Sequence, residues 1–173
     1  LRLADATAPG LLLAYGIGRM GCQISGDGDW GIANTAAKPG WLSWAPDWVW
    51  AYAYPNNVNK WGKMMDPASS LWDAFPGYGT YLDPMVFPTP IYETTLSILG
   101  FALLWKLRTR WAQPGKIFAA YLMFNGVERF WIEKIRINNT FEFLGMTVTQ
   151  AELISVCMFL SGVALWATRK QKA

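Results

Sequence analysis

The chain has no histidine, only two cysteines, and few charges: 16% of its 173 residues are Asp, Glu, Lys or Arg, against roughly 25% in a typical soluble domain. Each shortage removes a class of protein. Without histidine, Ser-His-Asp and Cys-His catalysis cannot be completed within this chain. Two cysteines build neither a disulfide framework nor a zinc cluster. A net charge of +3 gives neither the basic field of a nucleic-acid binder nor the charge density of a disordered tail, so no nucleic-acid partner is expected. The mean hydropathy of +0.14 is compatible with one packed domain or with about four membrane spans. The placement of the apolar residues distinguishes the two.

A membrane helix needs roughly 20 apolar residues to cross ~30 Å of hydrocarbon. Three stretches approach this. Val148 to Thr168 is the clearest, with Ile154, Val156, Met158, Phe159, Leu160, Val163, Leu165 and Trp166. Pro90 to Leu107 is built on Leu96, Ile98, Leu99, Phe101, Leu103, Leu104 and Trp105. Ile117 to Ile132 is interrupted by Asn125, Glu128 and Arg129. A weaker, glycine-rich fourth runs from about Ala6 to Ile24 and carries Arg19 near its far end. Buried helices of a soluble protein are the competing reading. Short basic clusters argue against it: Arg2 before the first stretch, Lys106, Arg108, Arg110 and Lys116 after the second, and Arg169, Lys170 and Lys172 after the last. Placing all of them in the cytoplasm satisfies the positive-inside rule over four spans. The expected fold is an all-α polytopic membrane protein, a single integral membrane domain over residues 1–173. Its long outward loop or cap, residues 25–88, and the connection from Lys134 to Thr147 then face away from the cytoplasm.

The outward segment concentrates Trp30, Trp41, Trp44, Trp48, Trp50, Trp61 and Trp72 among many prolines and glycines. Proline at this frequency breaks helices and interrupts sheets, and tryptophan favours the headgroup layer. The reading is an ordered loop domain on the outer membrane face, compatible with a small β-rich cap. The chain opens at Leu1 without a basic n-region or small-residue cleavage site, so the expectation is no signal peptide and a truncated N-terminus.

Charges within apolar stretches are the candidates for function. A charge at mid-membrane costs ~2.5–3.5 kcal/mol on insertion scales and needs a partner or a wet cavity. Arg129 has Glu133 at i,i+4 as a simple ion-pair partner; Arg19 has Asp27 or Glu93. The functional alternative is that the two guanidiniums line one cavity and hold an anion, because arginine matches phosphate with a bidentate fork. On a continuous helix Arg129, Glu133 and Arg136 share one face. Other patterns are weaker. Gly16–Gly21 and Gly26–Gly31 both fit G-x-G-x-x-G but follow no strand; the first suits close helix packing. Asp27-Gly28-Asp29 opens like a calcium loop that nothing completes, and no metal is expected. Asn138-Asn139-Thr140 is a glycosylation sequon without supporting context. Cys22 and Cys157 read as packed free thiols.

These residues resemble the prolipoprotein diacylglyceryl transferase family. Its pattern G-R-x-G-N-F-x-N-G-E-x-x-G is similar to Gly18-Arg19-Met20-Gly21-Cys22-Gln23-Ile24-Ser25-Gly26-Asp27-Gly28-Asp29-Trp30-Gly31, which has one residue more before the last glycine. Ala4-Asp5-Ala6-Thr7-Ala8-Pro9-Gly10 is similar to its A-D-x-x-A-P-G helix start, and Phe87-Pro88-Thr89-Pro90-Ile91-Tyr92-Glu93 to its H-P-[ST]-x-L-Y-E. Its Y-G-x-x-R-F-x-x-E-x-x-R is matched from Asn125 through Arg129 and Glu133 to Arg136, and its M-x-x-x-Q from Met146 to Gln150. Cys22 and Ser25 stand where the pattern has Asn, Asp27 where it has Glu, Phe87 for His and Asn125 for Tyr. The family's N-terminal spans with their His-Gly-Gly motif have no counterpart, so the chain resembles the C-terminal part of a divergent member.

The resemblance implies transfer of the diacylglyceryl group of phosphatidylglycerol to the lipobox cysteine thiol of prolipoproteins, at the outer leaflet of the bacterial cytoplasmic membrane. It implies no cofactor. The partners are phosphatidylglycerol, prolipoprotein signal peptides and membrane lipids. Arg19 and Arg129 are the expected catalytic clamp on the departing phosphate ester. Cys22, Ser25 and Asp27 would bind near Arg19, Tyr92 and Glu93 would shape the headgroup side, and Glu133 and Arg136 would orient Arg129 or the glycerol. The thiol's proton acceptor has no obvious candidate. The rival is a non-enzymatic membrane lipid-binding or transport protein using the same arginine-lined cavity.

Overall fold

A computed structural model describes residues 1–69, 71–111, 113–138, 140–143 and 145–169. Asn139 of the sequon and Lys170 and Lys172 of the last basic cluster lie outside the described residues. The fold is mostly helical: α1 (Arg2–Ser25), α2 (Thr89–Leu107), α3 (Lys116–Glu133) and α4 (Gln150–Thr168). Two antiparallel hairpins accompany them, β1 (Lys63–Met64) with β2 (Thr80–Tyr81) and β3 (Thr140–Phe143) with β4 (Met146–Thr149). The expectation of an all-α chain is corrected at these hairpins. Alternating residues in Thr140–Phe143 and Met146–Thr149 flank Gly145, whose φ of 77° suits a tight turn. Each expected apolar stretch coincides with a helix. Among the described residues α4 is the one helix both long and apolar enough to cross a membrane by length and composition.

The chain divides into two compact units. The helical unit holds Leu1–Arg19, Glu93–Lys134 and the described residues from Asn138 onward; the loop unit holds Met20–Tyr92 and Ile135–Ile137. The end of α1 and the start of α2 thus belong to the loop unit.

In the helical unit, Ala8, Leu12, Leu104 and Ile117 form the core, with Phe101, Phe118, Tyr121 and Phe124 packed on it. Bare glycines set the closest helix approaches. A Cβ on Gly16 of α1 would lie 3.0 Å from Ser97 Cβ of α2, and one on Gly126 of α3 would lie 2.6 Å from the Ser155 carbonyl oxygen of α4. Gly18 and Gly21 have open space, so the small-residue reading of the first glycine run holds at Gly16. The start of α3 is capped from outside itself: Asp5 of α1 accepts hydrogen bonds from the backbone N–H groups of Gly115 (2.6 Å) and Phe118 (2.8 Å). A carboxylate there satisfies two otherwise unpaired donors and complements the helix dipole. At α4, Thr149 and Glu152 form a reciprocal capping box, and Glu152 also pairs with Lys134 at 2.5 Å.

The loop unit is built on Trp30, Tyr54 and Val86, with Tyr52 and Leu82 against them. Short bridges replace extended strands: Gly31 with Arg136, and Val86 with both Ala33 and Tyr52. Two single 3-10 turns, Gly40–Leu42 and Asp47–Val49, follow prolines. Trp30 is buried, while Trp41, Trp44, Trp48 and Trp61 are exposed.

Because Asp5 joins α1 to the first turn of α3, Asp5→Ala is expected to destabilise the helical unit by about 1–2 kcal/mol. Thermal unfolding in detergent would show this as a lowered Tm; an unchanged Tm would mean that water replaces the cap at no cost.

Candidate functional site

The expected residues divide between the units. Arg19, Glu93, Arg129 and Glu133 fall in the helical unit, and Cys22, Ser25, Asp27, Tyr92 and Arg136 in the loop unit.

In the helical unit, Arg19 finds Glu93, one of its two expected partners. Arg19 Nε donates to Glu93 Oε2 at 2.6 Å and a terminal nitrogen lies 2.5 Å from the same oxygen. The pair is deeply buried, at 8% exposure for Arg19 and 1% for Glu93. Tyr15, one turn before Arg19 on α1, donates its hydroxyl to Glu93 Oε1 at 2.7 Å, and its ring centroid lies 5.9 Å from the Arg19 guanidinium carbon. Thr94 then donates to the Gly16 carbonyl at 2.9 Å. The sequence reading missed Tyr15, although its place one turn from Arg19 was a usable signal.

Arg129 is half-buried on α3, and among the described residues it forms no ion pair or hydrogen bond. The simple pairing with Glu133 is therefore absent. Glu133 is buried and accepts instead from Asn138 Nδ2 at 2.7 Å. Glu128, beside Arg129, is buried and lies within Coulombic reach of Arg129, Arg19 and Glu93. In the sequence it is, with Arg129, a charge within an apolar stretch that needs a partner or a wet cavity, and it is not among the expected site residues. Between α3 and α4 lies an apolar cavity of about 230 Å³, lined by Gly126, Phe130, Trp131, Ser155, Phe159 and Leu160 among others.

In the loop unit, Arg136 corrects the expected helix face. α3 ends at Glu133, so Arg136 does not continue the row of Arg129 and Glu133. It sits instead opposite Gly31 in a backbone bridge, and its guanidinium pairs with Asp29. Beside the bridge, Ile32 N–H donates to the Ile135 carbonyl (2.8 Å), and Gly31 N–H donates to the Phe87 carbonyl of another segment (2.8 Å). Thr89 adds a hydrogen bond to the Asp29 carbonyl at 2.7 Å. Asp29 was thus missed as a site residue, since its partner is far away in sequence. Ser25 donates to the Cys22 carbonyl, the exposed Asp27 accepts from Asp29 N–H, and Tyr92 donates to the Val49 carbonyl at 2.9 Å. Cys22, Asp27 and Asp29 bring one ligand atom each within 4.8 Å of one another. One soft sulfur with two hard carboxylates matches no single metal preference, and Arg136 already engages Asp29.

The chain is thus mostly helical, with one helix of spanning length, a buried Arg–Glu pair and a second arginine that is unpaired among the described residues. The match to the family model described as prolipoprotein diacylglyceryl transferase covers residues 1–168: the chain belongs to that family, one of bacterial membrane enzymes. It is similar to proteins named phosphatidylglycerol–prolipoprotein diacylglyceryl transferase. That of Geobacillus kaustophilus is 27% identical over 172 residues, covering 99% of this chain and 52% of the relative. That of Bifidobacterium adolescentis is 28% identical, covering 98% and 45%. That of Frankia alni is 32% identical over 156 residues, covering 90% and 33%. The chain spans about half the length, or less, of these curated relatives.

Removing one member of a buried ion pair leaves an uncompensated charge, at a cost of about 3–5 kcal/mol. Arg19→Met and Glu93→Gln are each expected to destabilise by that order, and the double variant by much less than their sum. A thermal-denaturation double-mutant cycle checks this; additive losses would show that the pair is not coupled.

Proposed function

We propose that this chain carries out, as part of a diacylglyceryl transferase, the transfer of the diacylglyceryl group of phosphatidylglycerol to the lipobox cysteine thiol of prolipoproteins. The observation that carries the reading is Arg129: a half-buried guanidinium that forms no ion pair or hydrogen bond among the described residues, within the family-matched run from Gly126 to Glu133. In the reaction the thiol sulfur attacks the glyceryl carbon that bears the phosphate. A C–S bond forms, the C–O bond breaks, and glycerol phosphate leaves. The charge that grows on the leaving phosphate is the main demand on the site, and a fixed cation in a water-poor setting answers it. Arg129 takes that role. Arg19, held by Glu93 and Tyr15, is the second cation of the clamp. Glu133 and Arg136 serve the glycerol head and Arg129, and Cys22, Ser25, Asp27 and Tyr92 the headgroup side. The cavity between α3 and α4 suits an acyl chain, being lined mainly by apolar side chains.

All four helices cross the bacterial cytoplasmic membrane in this proposal, as one integral membrane domain with residues 25–88 as a cap on the outer leaflet. Exposed apolar side chains on every helix support it: Leu11 and Ile17 on α1, Leu99 and Leu103 on α2, Trp131 on α3, Leu160 on α4. Such surface is stable in lipid and costly in water. Exposed Trp41, Trp44 and Trp48 suit the headgroup layer. No cofactor enters the chemistry.

The test uses the complete reading frame in membranes with phosphatidylglycerol and a lipobox peptide, and mass spectrometry of the peptide thiol. Diacylglyceryl addition is expected, reduced about 10²–10³-fold in Arg129→Gln. Undiminished addition in the variant removes Arg129 from the clamp. No addition by the folded wild type removes the transferase and favours a protein that binds or moves lipid without covalent change.

A further inference from the structure

Four acids of the helical unit have partners. Asp5 caps α3, Glu93 accepts from Tyr15 and Arg19, Glu133 from Asn138, and Glu152 pairs with Lys134 and Thr149. Glu128 differs. Its side chain is 6% exposed, its Oε1 is enclosed without a hydrogen-bond partner, and among the described residues it forms no ion pair. A buried carboxyl oxygen with no donor is a cost to folding. Its surroundings are charged: Arg129 on its own helix, Glu93 on α2 and Arg19 on α1 lie within Coulombic reach.

The reaction needs a proton acceptor. A thiol becomes a competent nucleophile on losing its proton. Both oxygens of Glu93 are engaged. Glu128 offers open acceptor capacity one residue from the arginine assigned to the leaving phosphate, so base and anion clamp come from one turn of α3. We propose that Glu128 is the proton acceptor of the transfer, a catalytic residue that takes the lipobox thiol's proton as sulfur attacks the glyceryl carbon. The C–S bond forms with the sulfur's electron pair, and the C–O bond's pair leaves with glycerol phosphate. The proton passes from Glu128 to that phosphate, which restores the carboxylate. The inference rests on the transferase reading above.

The experiment compares wild type, Glu128→Gln and Glu128→Asp in the complete reading frame, in phosphatidylglycerol membranes. Each is given a lipobox peptide carrying cysteine or selenocysteine, whose selenol is already ionised at neutral pH and needs no base. Retention of labelled phosphatidylglycerol by the purified protein is measured alongside. Glu128→Gln is expected to slow thiol transfer about 10²–10⁴-fold, to keep lipid retention, and to return close to the wild-type rate with the selenol. Glu128→Asp falls between. Wild-type thiol transfer by Glu128→Gln, an equal deficit with thiol and selenol, or loss of lipid retention each overturns the role of Glu128 and leaves the transferase standing. No transfer by the wild type to either peptide overturns both.

Discussion

Arg19 and Glu93 have left water together, and neither side chain is tolerable in that position without the other. The desolvation of each is offset only by their mutual attraction and by the remaining hydrogen bonds. One Glu93 oxygen meets Arg19, and the other is taken by Tyr15. The bare Cα of Gly16 lets α2 approach closely enough for Thr94 to reach the Gly16 carbonyl. Charge neutralisation and close helix approach therefore depend on each other along this part of α1 and α2. The two arginines differ in consequence: Arg19 is paired with a carboxylate, whereas Arg129 forms no ion pair or hydrogen bond among the described residues.

The placement of α3 follows from contacts at both ends. Asp5 fixes its first turn, and Gly126 and Gly162 admit α4 along its length; a Cβ on Gly162 would lie 2.7 Å from Met123 Cγ. Those contacts orient the face that carries Glu128 and Arg129. Among the described residues neither side chain makes a hydrogen bond or ion pair, so their placement is inherited from packing several residues away.

Helices were the legible part of the sequence. Apolar runs of near-spanning length mark α2, α3 and α4 to within a few residues, because length and composition are local signals. The Arg19–Glu93 pair was legible as one of two options, since an arginine in an apolar stretch demands an acid. The helix end at Glu133 was not. No glycine or proline follows it, and the motif's regular spacing suggested one face continuing to Arg136. The alternating Ile135-Arg136-Ile137 was the opposing signal, and it is the backbone of Gly31 and Ile32 that decides in its favour. Such a partner lies about a hundred residues away and leaves no trace in local periodicity. Glu128 was passed over for a related reason: burial without a partner is a property of three-dimensional surroundings.

The loop unit draws three of its residues from the far side of α3, and this bears on how such a segment can change over time. A unit made only from residues 20–92 would be a cassette, free to be lengthened, lost or exchanged. Here the backbone of Gly31 and Ile32 is completed by Phe87 and Ile135, and Asp29 by Thr89 and Arg136. These points form a fixed frame. Insertions and deletions are cheapest inside it, among the exposed turns around Gly40 and Gly77, where backbone bonds are local. Most of these contacts use backbone groups that any residue supplies; the Asp29–Arg136 pair joins two side chains, so change there requires coordinated substitutions at two distant places in the gene.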